Sequence, residues 1–256
     1  MLSSEVVLIT GAAGRIGSNT AIEIAKKGGK LSLADISIES LTKLENQLIK
    51  HTDKKNFISI NLDISSTESI ENAISKTNEE FGKISAAIHS AYPRSKQWGK
   101  KYEDITFDFL TEDLKNHLGG SIIFSQKILK HFVNEGGGKL IHISSIQGVC
   151  APKFEHYEGT TMTSPIEYSA MKAGIISITK WLAKYHKNQN IRVNCISPGG
   201  IFDNQPIEFI KNYRDSCCNI GLLDGKNVAD VILFLLSESS NCINGQNLII
   251  DDGWSL

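Results

Sequence analysis

Tyr168 and Lys172, in "EYSAMKAG", stand four residues apart in a stretch patterned as a helix, so their side chains share one face. A tyrosine ordinarily titrates at about 10, and a nearby ammonium favours the phenolate, which brings the group toward use as a general acid or base. A Tyr/Lys pair alone usually marks a helix surface. Upstream, however, "KLIHISSIQG" ends a strand pattern at Ser144 and Ser145. A hydroxyl there can hydrogen-bond a substrate oxygen beside Tyr168, although serines at strand ends also make ordinary turns.

A second cluster lies near the start of the chain, in "LITGAAGRIGSN" (Leu8 to Asn19), where Gly11, Gly14 and Gly17 follow an apolar run. A strand, a glycine turn and a helix beginning near Arg15 direct backbone N–H groups and a helix dipole at a pyrophosphate. Gly11 permits the turn and Gly17 lets helix and strand approach closely. A glycine-rich turn can also be loop geometry alone.

Asp35, 18 positions after Gly17, ends the second strand run. A carboxylate there accepts hydrogen bonds from an adenosine ribose and repels a 2′-phosphate, favouring NAD over NADP; an N-cap role is the competing reading. Arg15 keeps NADP open, because a guanidinium near the ribose or pyrophosphate can welcome an extra phosphate. Asp63 with Ile64, ending the third strand, suits an adenine edge and an apolar wall, or equally a cap before "SSTES".

The elements that must position these groups can be read from the whole chain. At 256 residues it can bury a large core as a single domain spanning 1–256. Charges nearly cancel, leaving −1, so neither nucleic acid nor an anionic membrane is implied; small molecules are the expected partners. The five cysteines show no C-x-x-C spacing and follow no secretory leader, which implies reduced thiols in the cytoplasm, and no metal site is expected. The most apolar helix pattern, 228–237, is far shorter than the roughly 20 residues of a bilayer span.

Seven apolar runs read as strands: 6–10, 30–35, 56–63, 85–91, 139–145, 191–199 and 247–253. Helical patterns alternate with them at 16–27, 37–50, 66–81, 108–133, 168–186 and 227–237. This alternation predicts an α/β fold, a doubly wound parallel sheet of about seven strands with helices on both faces and ligands at the strands' carboxyl ends. The segments 92–107 and 203–223 read as long loops on that ligand side.

Taken in this order, the glycine turn, Asp35, Ser145 and Y-x-x-x-K resemble the short-chain dehydrogenase/reductase family over nearly the whole chain. "ISPGGI" (196–201) is similar to the family's turn against nicotinamide, and "INGQNLIIDDG" (243–253) to its closing strand. The resemblance implies a Rossmann-type fold and NAD(P), with Tyr168 as acid/base, Ser145 polarising the substrate, and Lys172 holding the ribose and tuning Tyr168. A bound nicotinamide ring's positive charge would add to that tuning. Cofactor contacts are carried over to Ile16, Ser90, Ala91, Pro198, Gly199 and Ile201, and to Tyr168 and Lys172 themselves.

Several positions depart from the family pattern. The usual N-N-A-G reads "HSAY" (His89 to Tyr92), and the expected asparagine of the catalytic tetrad falls at His117, which can hold a water, relay a proton, or do neither. The spacing T-G-x-x-G-x-x-G belongs to extended, sugar-nucleotide members, yet the chain ends too early for their substrate domain. The longer insertion between Ser145 and Tyr168 is expected to shape the substrate pocket.

"AYPRSKQWGKKYED" (91–104) and "DDGWSL" resemble a subgroup found with surface-sugar and flagellin-modification genes. That implies a sugar, sugar phosphate or nucleotide sugar on the route to a nonulosonic acid such as legionaminic acid. Arg94, with Lys96, Lys100 and Lys101, suits a phosphate or carboxylate, or else is a solvated loop. The resemblance also implies a homodimer or homotetramer packed through 108–133 and 168–186. Three activities stay open: net oxidation or reduction, epimerisation or dehydration through transient oxidation by tightly bound NAD, and cofactor binding without catalysis.

Overall fold

In the computed structural model, which describes residues 2–256, the segment "VVLIT" is buried along its whole length. Val7 and Ile9 face one hydrophobic cluster and Leu8 faces another, as the two-residue period of a strand requires when both faces are covered.

The chain alternates as predicted: β1 (Val6–Thr10), α1 (Arg15–Lys26), β2 (Lys30–Asp35), α2 (Ile38–Leu48), β3 (Phe57–Asn61), α3 (Thr67–Phe81), β4 (Ala86–His89), α4 (Phe107–Asp113) and α5 (Gly120–Asn134). It continues through β5 (Gly138–Ile143), α6 (Ile166–Tyr185), β6 (Ile191–Pro198), α7 (Ile207–Asp215), α8 (Gly225–Leu236) and β7 (Asn247–Ile250). All seven strands pair in parallel in the order β3-β2-β1-β4-β5-β6-β7. The order reverses between β1 and β4, and the crevice at their carboxyl ends is where such sheets take ligands.

Local chemistry sets the element ends. Ser37 and Ser66 accept backbone N–H groups from Ser40 and Ser69 to cap α2 and α3. Asp224 and Asn227 form a reciprocal cap on α8. Gly28, in the "KGGK" turn, closes α1 with φ +84°.

Two expectations change. The segment 203–223, read as a loop, contains α7, whose Phe209 and Tyr213 bury against Trp254 and Ile146. The helix expected over 108–133 is interrupted by a π-helical turn, Leu114–Gly119, between α4 and α5. Such wide turns are rare and gather at functional sites, and this one carries His117.

Candidate active site

At Gly11, φ is +65°, and a Cβ placed there would lie 2.7 Å from the backbone of Ser90 and Ala91. A Cβ at Gly17 would come within 2.3 Å of the Gly11 carbonyl. Glycine therefore lets the turn after β1 rest directly on the exit of β4, while α1 starts immediately behind it. Gly14, the N-cap of α1, makes no side-chain cap, so the first N–H groups of the helix are available to an anion.

Two cavities meet at this point. One, of about 410 Å³, is lined by Gly11, Asp35, Leu62, Ile64 and Ala91. The other, of about 380 Å³, is lined by Ser145, Tyr168, Lys172, Pro198, Gly199 and Ile201. Gly14, Ser90, Tyr92 and Arg94 line both, and Arg15 and Ile16 line the second. A two-part cleft centred on an uncapped helix start fits a dinucleotide, with its pyrophosphate at Gly14 and its two rings on either side.

Asp35 reaches the first cavity while also doing structural work: Oδ2 accepts from the Ala13 N–H at 3.0 Å and Oδ1 from the Ser37 N–H at 3.0 Å. Each oxygen keeps a further lone pair for a ribose hydroxyl. Asp63 closes a local turn after β3, its Oδ1 accepting from the backbone and hydroxyl of Ser65 at 2.9 and 2.7 Å. It lines neither cavity; its neighbours Leu62 and Ile64 form the wall. Arg15 pairs with Asp203, in the segment leading to α7, and both side chains are about half exposed.

On the other side, α6 carries Tyr168 and Lys172, and Ser145 follows β5. The hydroxyl of Ser144 donates to the Lys172 carbonyl at 2.8 Å, and a Cβ at Gly148 would lie 2.6 Å from the Lys172 backbone. Of the two serines, Ser144 thus ties α6 to the strand end. Ser145 lines the cavity with Tyr168 and accepts from the Gln147 N–H at 3.2 Å.

The Lys172 amine is buried, donates to the Ile143 carbonyl at 3.0 Å, and lies 5.6 Å from the Tyr168 ring centroid. Burial brings its pKa down to about 7. Burial pushes the Tyr168 phenol up, and the opposing pull comes from the Ser145 hydroxyl and the Arg94 charge.

His117 is only 2% exposed, and burial drives its pKa down to about 2. Burial thus holds the ring neutral. Its Nδ1 is buried without a hydrogen-bond partner, and its ring stands edge-on to Tyr92 at 5.0 Å.

The family model described as enoyl-(acyl carrier protein) reductase matches residues 11–255. The chain belongs to the short-chain dehydrogenase/reductase family. It is 43% identical, over the full length of both chains, to the post-translational flagellin modification protein A of Campylobacter coli. It is 28% identical to a 7alpha-hydroxysteroid dehydrogenase of Bacteroides fragilis, covering 99% of this chain and 95% of that one. A short-chain dehydrogenase of Leptospira borgpetersenii, solved with bound NAD+, superposes with a TM-score of 0.85 at 30% identity, covering 98% and 93% of the two chains. Members of this family are oxidoreductases acting on CH–OH groups, and their fold binds a nicotinamide cofactor.

The rest of the second cavity is lined by residues not named one by one from the sequence, several of them in the insertion between Ser145 and Tyr168. Tyr157, Phe209, Tyr213 and Trp254 line the second cavity with Gln147 and His156. Gln147 Nε2 donates to the Tyr157 hydroxyl at 3.1 Å, and the Ser164 hydroxyl donates to Gln147 Oε1 at 2.9 Å, so the insertion folds over the site through its own polar contacts. Tyr92 stands where the family motif has glycine, and its ring lies 5.5 Å from Tyr168 and 5.2 Å from Trp98. The available signal was the density of aromatics in 91–104, with Tyr92, Trp98 and Tyr102, and the lone Trp254 of "DDGWSL". Arg94 stacks on Tyr92 at 5.3 Å and makes no ion pair among the described residues. Lys96, Lys100 and Lys101 line neither cavity.

Proposed function

We propose that this protein is an NAD-linked dehydrogenase of a sugar-like substrate, a sugar phosphate or nucleotide sugar, acting in the cytoplasm in the synthesis of a nonulosonic acid used to modify flagellin. The observation that carries the reading is the convergence of Ser145, Tyr168 and Lys172 on one cavity, joined at Gly14 to a second that contains Asp35. The full-length likeness to a flagellin modification protein supports the process.

Bound nicotinamide supplies or accepts the hydride. In reduction Tyr168 gives its hydroxyl proton to the carbonyl oxygen, and in oxidation the phenolate removes the alcohol proton. Ser145 donates a hydrogen bond to that same oxygen, fixing it beside Tyr168. Lys172, held by Ile143, directs its remaining N–H groups to the cofactor's ribose. His117, neutral, leaves its buried Nδ1 open to one hydrogen bond, suited to holding a water rather than to carrying charge. Asp35 accepts from the adenosine ribose and disfavours a 2′-phosphate. The aromatic walls suit the C–H faces of a pyranose while Gln147 and Arg94 meet its polar and anionic groups.

The protein assembles as a homodimer or homotetramer through α5 and α6. Support comes from Ile122 on α5 and from Trp181 and Tyr185 on α6, exposed by 46%, 61% and 67% and apolar for a monomer's surface. Among the described residues no helix is long and apolar enough to cross a membrane.

The test follows NADH absorbance with a panel of sugar phosphates and nucleotide sugars. Turnover of one of them, lost in Tyr168→Phe, is expected. Undiminished turnover in that variant would overturn the mechanism.

A further inference from the structure

The segment "HSAY" places His89 at the end of β4, where its ring lies inside the molecule, 4% exposed, among Thr10, Ser121, Phe124 and His142. Its hydrogen bonds determine its tautomer. The Ser121 hydroxyl is 2.7 Å from the His117 carbonyl, which can only accept, so the single hydroxyl proton of Ser121 points there. Ser121 Oγ, 2.9 Å from His89 Nε2, must then accept, which puts a proton on Nε2. His89 is buried and neutral, so Nδ1 is bare and accepts from the Thr10 hydroxyl at 2.8 Å. Thr10 Oγ1 in turn accepts from the Ala91 N–H at 3.4 Å.

The result is one directional chain: Ala91 N–H to Thr10, Thr10 to His89, His89 to Ser121, and Ser121 to the carbonyl of His117. One end is the β4 exit that walls the cofactor cleft and touches Gly11. The other is the π-helical turn whose own geometry displaces the regular helix bonds and whose His117 ring meets Tyr92. We propose that His89 is a positioning residue for the dehydrogenase site, its Nε2–H tautomer locking the His117 turn to the cofactor-binding exits of β1 and β4.

A branch runs alongside. The Ser125 hydroxyl donates to the Ser121 carbonyl at 2.7 Å, so Ser125 Oγ accepts from His142 Nε2 at 3.2 Å. It ends there, because His142 Nδ1 has no partner. Only the His89 arm connects two walls of the site. An apolar residue at position 89 would fill the space, leave the Thr10 hydroxyl proton without its acceptor and break the link to Ser121, whereas glutamine can accept at one end and donate at the other.

The experiment has two arms. In protein labelled with 15N-histidine, long-range proton–nitrogen spectra should show His89 protonated at Nε2 and bare at Nδ1 from pH 6.5 to 9, and Thr10→Val should shift the His117 ring signals. A His89 protonated at Nδ1, or His117 signals indifferent to Thr10→Val, overturns the proposal, and neither reading needs a substrate. In the second arm, Thr10→Val and Ser121→Ala should each lower kcat/KM for the cofactor by about fivefold to tenfold, and the double variant should be no worse than the poorer single. His89→Gln should retain more of it than His89→Leu. Losses that multiply in the double variant, or wild-type kinetics in Ser121→Ala, overturn it. Should His89→Leu not fold, the Thr10 and Ser121 variants decide alone.

Discussion

The Lys172 amine donates to the carbonyl of Ile143 at 3.0 Å, so the lysine of the helix is anchored on the strand that delivers Ser145. The anchor is reciprocal, because the hydroxyl of Ser144 donates back to the Lys172 carbonyl at 2.8 Å. Strand end and helix therefore hold Ser145, Tyr168 and Lys172 in one constellation before any ligand binds.

Burial costs this amine its charge: its pKa sits at about 7 in the folded protein, against an ordinary value of 10.5. Between those values the unfolded chain binds more protons, so this group's contribution to stability improves as pH rises. The cofactor-free protein is expected to gain resistance to urea from pH 7 to 9.5, and Lys172→Met to show a flatter rise. Equal slopes in the two proteins would remove the buried amine as the cause.

Tyr168 is raised by burial, which favours its protonated form at neutral pH. Alcohol oxidation needs the phenolate and carbonyl reduction the phenol. Accordingly, kcat/KM for oxidation should climb between about pH 7 and 10 while that for reduction stays level over the same range. Tyr168→Phe should reduce kcat by about a hundredfold to ten thousandfold, with the cofactor Kd essentially unchanged by calorimetry. A pH-independent oxidation rate would contradict the acid/base assignment.

Asp35 and Arg15 make opposing demands on the cofactor's ribose end, and the structure gives Arg15 a carboxylate of its own in Asp203. Asp203→Asn should release the guanidinium, strengthening NADP binding relative to NAD, most clearly at low salt where exposed charges act furthest. Asp35→Ala should weaken NAD and narrow the preference further, because it also unties the Ala13 N–H of the glycine turn. Fluorescence titration with both cofactors checks the pair. If Asp203→Asn leaves the ratio of affinities unaltered, Arg15 takes no part in cofactor choice.

The sheet was legible because a strand buried on both faces needs an apolar run, and β1 and β4 supply one almost without a break. Gly11, Gly14, Asp35, Ser145, Tyr168 and Lys172 were legible because their spacing relative to strand and helix is itself the chemistry. Helix α7 was not: Phe209 and Tyr213 stand four apart at helical spacing, but the helix is short and what covers that face is Trp254, from the far end of the chain. Asp63 was ambiguous because a carboxylate after a strand serves a local turn as readily as a nucleotide, and its Oδ1 holds Ser65 in such a turn. The π-helical turn at His117 was invisible because its apolar spacing is that of the α-helices beside it.

Four buried histidines give the molecule an acid limit, and in His156 too burial lowers the pKa. Burial drives His117 to about 2 and His142 to about 3, and holds His89 well below its ordinary 6.5. In the unfolded chain they titrate near 6.5, so below that pH the unfolded state binds more protons and stability falls. Each such group contributes a slope of about 1.4 kcal/mol per pH unit below its unfolded pKa. Ordinary carboxylates begin to titrate only below about pH 5, leaving the interval from 6 to 5 to the histidines. His142→Leu removes one of them together with its unpartnered Nδ1, and its stability should decline less steeply over that interval. Denaturant unfolding at pH 7, 6 and 5 measures the difference, and parallel declines in the two proteins would mean that His142 is not among the groups responsible.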